Sequence, residues 1–410
     1  MKLLKSLAVQ AVMASASLTM TAAPALAQTV YQIPSLSDFS GPFASVMPAF
    51  SGGREAVFNW WNVEQGAKLG VKLELKPYDT RYDTAQTASL WPGILATKPI
   101  IGFSLGGPDT AALQQRLPTD KVPMILGSAA NGFGWRPNQW VMSVRPTFVH
   151  ELAGFIEWYQ KNKVEGNRPV KVAMFTTEAS PTFADMGKGI VAYAKAKPSA
   201  IDLIELVYVE PQPADVTLQL RRVLNAGAEV VLVPGPIQHA VAVKRAMQAL
   251  NKKVPLVYSM HNSISALERP LGGMAALEGD YEAYSLAIAG ADESEAKRFY
   301  NLLAAKHGLK AQWNSFAAIG IAQALVLVRS VEAGARKYGG DKLTGELMYQ
   351  TLINTHFVEK DFFGYVSGDV DFSVEAPFPL RDPRINIGYV NGGKLTTIAS
   401  GVAVPKLAKW

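Results

Sequence analysis

From residue 29 the apolar positions of the chain switch repeatedly between two periods. Val71-Lys72-Leu73-Glu74-Leu75 alternates apolar and polar, the pattern of a half-buried strand, whereas Ala56, Val57, Trp60 and Val63 recur close to helical spacing. Read this way, strands are predicted over 31–36, 71–75, 100–103 and 123–126, with helices over 50–65 and 82–95. After Arg145-Pro146 the rhythm restarts, with helices over 148–161, 187–197, 217–226 and 239–250. Strands at 170–175, 203–209, 230–233 and 255–258 fall between and after them. Strands separated by helices imply parallel sheets built from βαβ units. Two such runs predict an α/β protein of two doubly wound lobes with a ligand cleft between them. From about 278 the pattern adds long helices at 293–307 and 313–338 and a few terminal strands.

In open α/β sheets, ligands bind outside the carboxyl ends of the strands. Here those ends are 36–44, 103–107, 127–132, 176–183, 234–238 and 259–263, rich in Ser, Gly, Pro and Asn and poor in acids.

Composition narrows the class. The 410 residues suffice for two cores, and 49% hydrophobic with 18% charged residues is an ordinary globular balance. Residues 1–27 stand apart: Lys2 and Lys5 precede an apolar stretch that ends in Ala25-Leu26-Ala27, the layout of a cleaved signal peptide. The mature chain is then expected to begin at Gln28, outside the cytoplasm. Its loss takes the formal charge from +6 to +4, spread without a like-charge block, so no nucleic-acid partner is expected. Cysteine is absent, which excludes a disulfide framework and thiolate metal sites. Asp79 and Asp83 in "YDTRYD" lack an EF-hand pattern, so no metal is expected there and the segment reads as a solvated helix start. No cofactor is expected. His239 reads as a surface residue at a helix start.

Gly102-Phe103-Ser104-Leu105-Gly106 fits G-x-S-x-G, the turn that carries the nucleophile of α/β-hydrolases. None of the five histidines precedes Ser104, so an upstream His-Gly-Gly oxyanion segment is missing. Asp341 followed by His356 keeps the acid-then-histidine order, so a hydrolase using Ser104 stays open from the chain alone.

Taken in order, several segments resemble the periplasmic substrate-binding proteins of ABC importers, in particular the leucine/isoleucine/valine-binding (type I) family. They are "LSDFSGPFAS", "YDTRYDTAQTAS", "IIGFSLGG", "VPMILGSAA" and "NAGAEVVLVPG", and the resemblance spans most of 30–395. It implies three crossovers between the lobes, near 146, 276 and 358. Lobe 1 would comprise 28–146 with 276–358, and lobe 2 147–275 with 359–410. It also implies a small-molecule ligand, permease subunits as partners, a monomer, and no catalysis. In the family, hydroxyl and backbone N–H groups of the loop at 103–107 hold the solute, which brings in Ser104, Leu105, Gly106 and Gly107. The second loop brings in Ser128, Ala129 and Ala130, where the usual threonine is replaced by alanine.

Phe43, Phe103, Phe183 and Pro236 complete the expected walls, with Phe183 nearest to the family's covering tyrosine. Met260, followed by His261, stands where the family's acid would hold a ligand ammonium. Without that acid an ammonium is costly to bury. An aromatic or other carboxylic acid, or a neutral amide, is therefore expected rather than a branched-chain amino acid. Glu178 is the acid that would restore an amino-acid-binding role, and a ligand sensor is the remaining alternative.

Overall fold

The computed structural model describes residues 28–129, 132, 140–288, 290 and 293–410. The proposed signal segment and Ala130 lie outside the described residues.

Two sheets account for nearly all strands. The first contains β1 (Thr29–Ser37), β2 (Val71–Asp79), β3 (Gly102–Ser104), β4 (Met124–Leu126) and β5 (Val141–Ser143), in the parallel order β2-β1-β3-β4-β5. Its register aligns the carboxyl ends: Ser35 pairs with Phe103, Ser104 with Leu126, and Leu126 with Ser143. The second sheet contains β6 (Val170–Thr176), β7 (Ile201–Tyr208), β8 (Val230–Val233), β9 (Leu256–Tyr258) and β10 (Tyr281–Tyr284). After the short pair β11 (His356–Phe357) and β12 (Val370–Asp371), the hairpin β13 (Arg384–Asn391) and β14 (Lys394–Ala403) joins its edge antiparallel. The order is β14-β13-β10-β9-β8-β6-β7. The separation into two sheets removes the single continuous sheet that a hydrolase reading of Ser104 requires.

Two crossings differ from expectation. β10 pairs with β9 and β13, so the chain leaves the second lobe after Tyr284, not near 276. It rejoins that sheet only at Arg384, so the third crossing lies beyond β12 and not near 358. Both shifts arise because strand membership is set by partners far along the chain. β5 was not expected either: three residues carry too little periodicity to register.

The helix Ser315–Tyr338 is long and apolar enough to cross a membrane by composition, yet most of it is buried in the first lobe. It crosses helix Met47–Trp61 at close range because both contribute glycine at the contact. A Cβ on Gly320 would lie 2.1 Å from the Phe50 carbonyl oxygen, and one on Gly53 would lie 2.7 Å from that of Ala317. Backbone cannot yield as a flexible side chain can. Gly320→Ala is therefore expected to destabilise the protein by about 1–3 kcal/mol, the range for overpacking. Urea unfolding would show this as a lower midpoint at unchanged slope.

Candidate functional site

The first lobe contributes a wall shaped by buried and capping carboxylates. After β1, Asp38 accepts hydrogen bonds from the N–H groups of Gly41 (2.5 Å) and Phe43 (2.7 Å), which folds the loop so that Phe43 reaches the cleft. Asp79 accepts from Phe39 N–H and the Ser40 hydroxyl, and Asp83 caps helix Thr84–Leu95 by accepting from Gln86 N–H. Both aspartates are thus spent on backbone geometry. Between them Arg81 and Tyr82 adopt φ of 55° and 53°, a left-handed pair that non-glycine residues seldom form. That turn sends the Tyr82 ring edge-on against Phe43, with centroids 4.7 Å apart. A Cβ on Gly106 would sit 2.8 Å from the ring, so the absence of a side chain at 106 makes room for Tyr82.

The loop after β3 is braced from below. Asp109, fully buried, accepts from Leu105 N–H (2.8 Å), Gly106 N–H (3.4 Å) and the Thr87 hydroxyl (2.8 Å). These two N–H groups, expected to face a solute, are therefore occupied by the protein. Ser104 is buried, and its hydroxyl has no hydrogen-bond partner among the described residues. The Ser104 carbonyl accepts from Gly127 N–H and the Gln323 amide. Phe103, expected as a wall, is core instead: it packs on Phe58 and lies beneath the buried Arg54 guanidinium, because its strand position points into the lobe.

The second lobe closes over this wall. A 3₁₀ turn at Met260–Asn262 follows β9, and Ser259 fixes it by accepting from His261 N–H. His261 lies among Phe148, Phe183 and Phe43, with centroid distances of 4.7, 5.5 and 6.4 Å. Its Nε2 is 3.2 Å from the Ser128 hydroxyl of the first lobe, while Nδ1 has no partner among the described residues. Burial, with Arg145 nearby, pushes the imidazole down to about 3, so it is neutral here.

Arg145 is the residue that sequence reasoning missed. It stands at the first crossing, 1% exposed, and its Nη1 donates to the Met260 sulfur at 2.9 Å and lies 3.6 Å from Glu151. Its guanidinium covers the Phe148 ring at 4.8 Å. In the chain, Arg145-Pro146 signalled only a boundary. The chain gave no signal for the role of Arg145, because the strand it follows, β5, is too short to register as one.

These groups enclose an inner cavity of ≈ 20 Å³, room for about one water, lined by Phe43, Tyr82, Leu105, Ser128, Arg145 and His261 among others. Outside it opens a cleft of ≈ 560 Å³ between the lobes, where Phe43, Tyr82, Phe183 and Pro236 meet. No aspartate or glutamate lines either space among the described residues. Gly107 meets Thr182 of the opposite lobe, whose hydroxyl oxygen would lie 2.5 Å from a Cβ at 107. Ala129 belongs to the second lobe's core cluster, and Glu178 is exposed and lines neither space, although its neighbours Thr177 and Ala179 line the outer cleft. His239, read as a surface residue, is buried, its Nε2 2.7 Å from the Glu210 carbonyl oxygen.

Two α/β lobes that meet across a cleft at their strand ends define a two-lobed solute-binding protein. A model of the periplasmic binding protein family matches residues 30–378, and the chain belongs to that family, which binds and does not catalyse. Among curated protein sequences none matches the chain. Solved structures share the fold at low identity. A branched-chain amino acid ABC transporter protein from Thermus thermophilus, with bound valine, is 17% identical with a TM-score of 0.77, covering 92% of this chain and 97% of its own. A solute-binding protein from Rhodopseudomonas palustris HaA2, in complex with p-hydroxybenzoic acid, is 18% identical with a TM-score of 0.71, covering 93% and 99%. A fatty acid ABC transporter substrate-binding protein from Thermomonospora curvata is 17% identical with a TM-score of 0.73, covering 92% of each chain.

The His261 shift has a measurable sign. An unfolded histidine takes up its proton near pH 6.5 and the folded one only near 3, so this contribution is present above 6.5 and is lost as pH falls towards 3. Between pH 6 and 4 the wild type should lose more stability than His261→Gln, by about 1.4 kcal/mol per pH unit at most. Parallel urea curves at several pH values measure the difference.

Proposed function

We propose that this chain is the exported receptor of an ABC importer, capturing a small organic solute without an ammonium group and delivering it to permease subunits in the inner membrane. The observation that carries this reading is the character of the cleft: aromatic walls, hydroxyl and imidazole groups, the guanidinium of Arg145 at the inner cavity and that of Arg269 at the outer cleft, and no lining carboxylate among the described residues. Met260, where the family places an acid, accepts a hydrogen bond from Arg145 instead. A zwitterionic amino acid would leave its ammonium unpaired beside a guanidinium, at a cost of several kcal/mol. An aromatic or other carboxylic acid fits both the walls and the charge, and a neutral amide fits the walls. Structural relatives of this fold carry an amino acid or a hydroxybenzoate, so the fold itself leaves the choice to the pocket. An amino-acid-binding role would need Glu178, which is exposed and does not line either space, although Thr177 and Ala179 beside it line the outer cleft. The N-terminal pattern at 1–27 supports export to the periplasm.

Calorimetric titration tests this directly. Leucine, isoleucine and valine should bind no tighter than millimolar, and at least one aromatic carboxylate should bind in the micromolar range, a gap of about 4 kcal/mol. Micromolar leucine binding would reject the reading.

Ser104 offers a second measurement. Its hydroxyl is buried without a partner, so Ser104→Ala should leave stability unchanged or slightly raised. If the hydroxyl serves the ligand, affinity should fall by about 0.5–1.5 kcal/mol. Unchanged affinity would remove Ser104 from the site.

A further inference from the structure

Arg145 carries more than the reading above requires. Its Nε is buried without a hydrogen-bond partner among the described residues, and the same side chain lines the inner cavity. A buried N–H of a charged group left unpaired is expensive, and native structures rarely tolerate it without a use. Two partners account for Nη1. Glu151 is offset at 3.6 Å, and its own Oε1 is engaged by Ser285 N–H at 2.8 Å. Met260 offers a thioether sulfur, a weak acceptor. A guanidinium prefers a planar, two-oxygen acceptor that matches its fork. Around that fork lie aromatic rings: the guanidinium stands over Phe148, which is beside His261, and Phe43 and Phe183 also lie against the imidazole.

We propose that Arg145 is the carboxylate-recognising residue of the cleft, and that the Met260 sulfur holds its place until a monocarboxylate with a flat apolar body displaces it. This rests on the solute-receptor reading and narrows it from organic acid or amide to monocarboxylate. On binding, both oxygens accept from the guanidinium, and the body stacks among Phe43, Phe183 and His261. Glu151 acts as a positioning residue that holds the guanidinium from the side opposite the ligand. A neutral amide satisfies the walls but presents one acceptor in place of two charged ones, so it binds less well. This separates ligand recognition from a purely structural role at the crossing, which would treat acid and amide alike.

The test compares matched pairs, benzoate with benzamide, phenylacetate with phenylacetamide and hexanoate with hexanamide, by calorimetry on the mature chain. Wild type should bind at least one acid tenfold or more tightly than its amide. Arg145→Gln should weaken that acid by about 10- to 100-fold and leave the amide within about threefold. Should Arg145→Gln fail to fold, Met260→Glu serves instead: its carboxylate would occupy the guanidinium and abolish the acid preference. An acid bound equally well by either variant overturns the assignment, as does equal loss of acid and amide, or a wild type indifferent between them. Tight leucine binding by the wild type would instead strike the reading of a solute without an ammonium group. Acid binding that survives Arg145→Gln strikes only the role of Arg145.

Discussion

The pairing of Arg145 with Glu151 is the contact on which the geometry of the cleft turns. Both side chains are 1% exposed, and both sit where the chain passes from the first lobe into the helix Phe148–Lys163. Glu151 also accepts from Ser285 N–H, just beyond β10, so one carboxylate ties the first crossing to the second. Burial raises the Glu151 carboxyl and lowers the Arg145 guanidinium, and each partner works against the other's shift. Taking two charges out of water costs several kcal/mol per ion before their attraction is counted. A pair retained under that cost fixes where the guanidinium points.

The first lobe repeats the device with a different counterpart. Arg54, fully buried and pushed down to about 9 by desolvation, lies over Phe50 and Phe103. It donates to the Ser35 hydroxyl at 2.6 Å and twice to the Gln323 side-chain oxygen. Gln323 in turn donates to the carbonyl oxygens of Ser104 and Ile125. One network therefore links the helix Ser315–Tyr338 to three neighbouring strands directly behind the ligand loops. With Asp109 bracing Leu105 and Gly106, the loop after β3 is held from two sides. Rigid support of this kind is what a binding wall needs, since ligand groups must meet preset partners.

The lobes meet through polar contacts set among apolar ones, Phe43 of the first lobe lying against His261 of the second. Ser128 faces His261, Met260 faces Arg145, and Gly107 lies against Thr182. Polar contacts of this kind can exchange for a ligand's own groups at modest net cost.

Local periodicity determined most of the strands and the longer helices, the two α/β lobes and the small, acid-poor loops at their ends. Burial of an amphipathic repeat is written into every few residues, so those elements were legible in the chain. Met260 stood out only through the resemblance to the family, which places an acid there. Tertiary structure alone decided the later crossing points, because Tyr281–Tyr284 and Arg384–Asn391 belong to a sheet only through distant partners. It decided too that Phe103 is core, that Asp109 consumes the Leu105 and Gly106 N–H groups, and that Arg145 faces the cavity. Arg145 and Met260 are 115 residues apart. No local pattern records which distant charge meets which cavity, because that outcome is set by how the two lobes cross and pack.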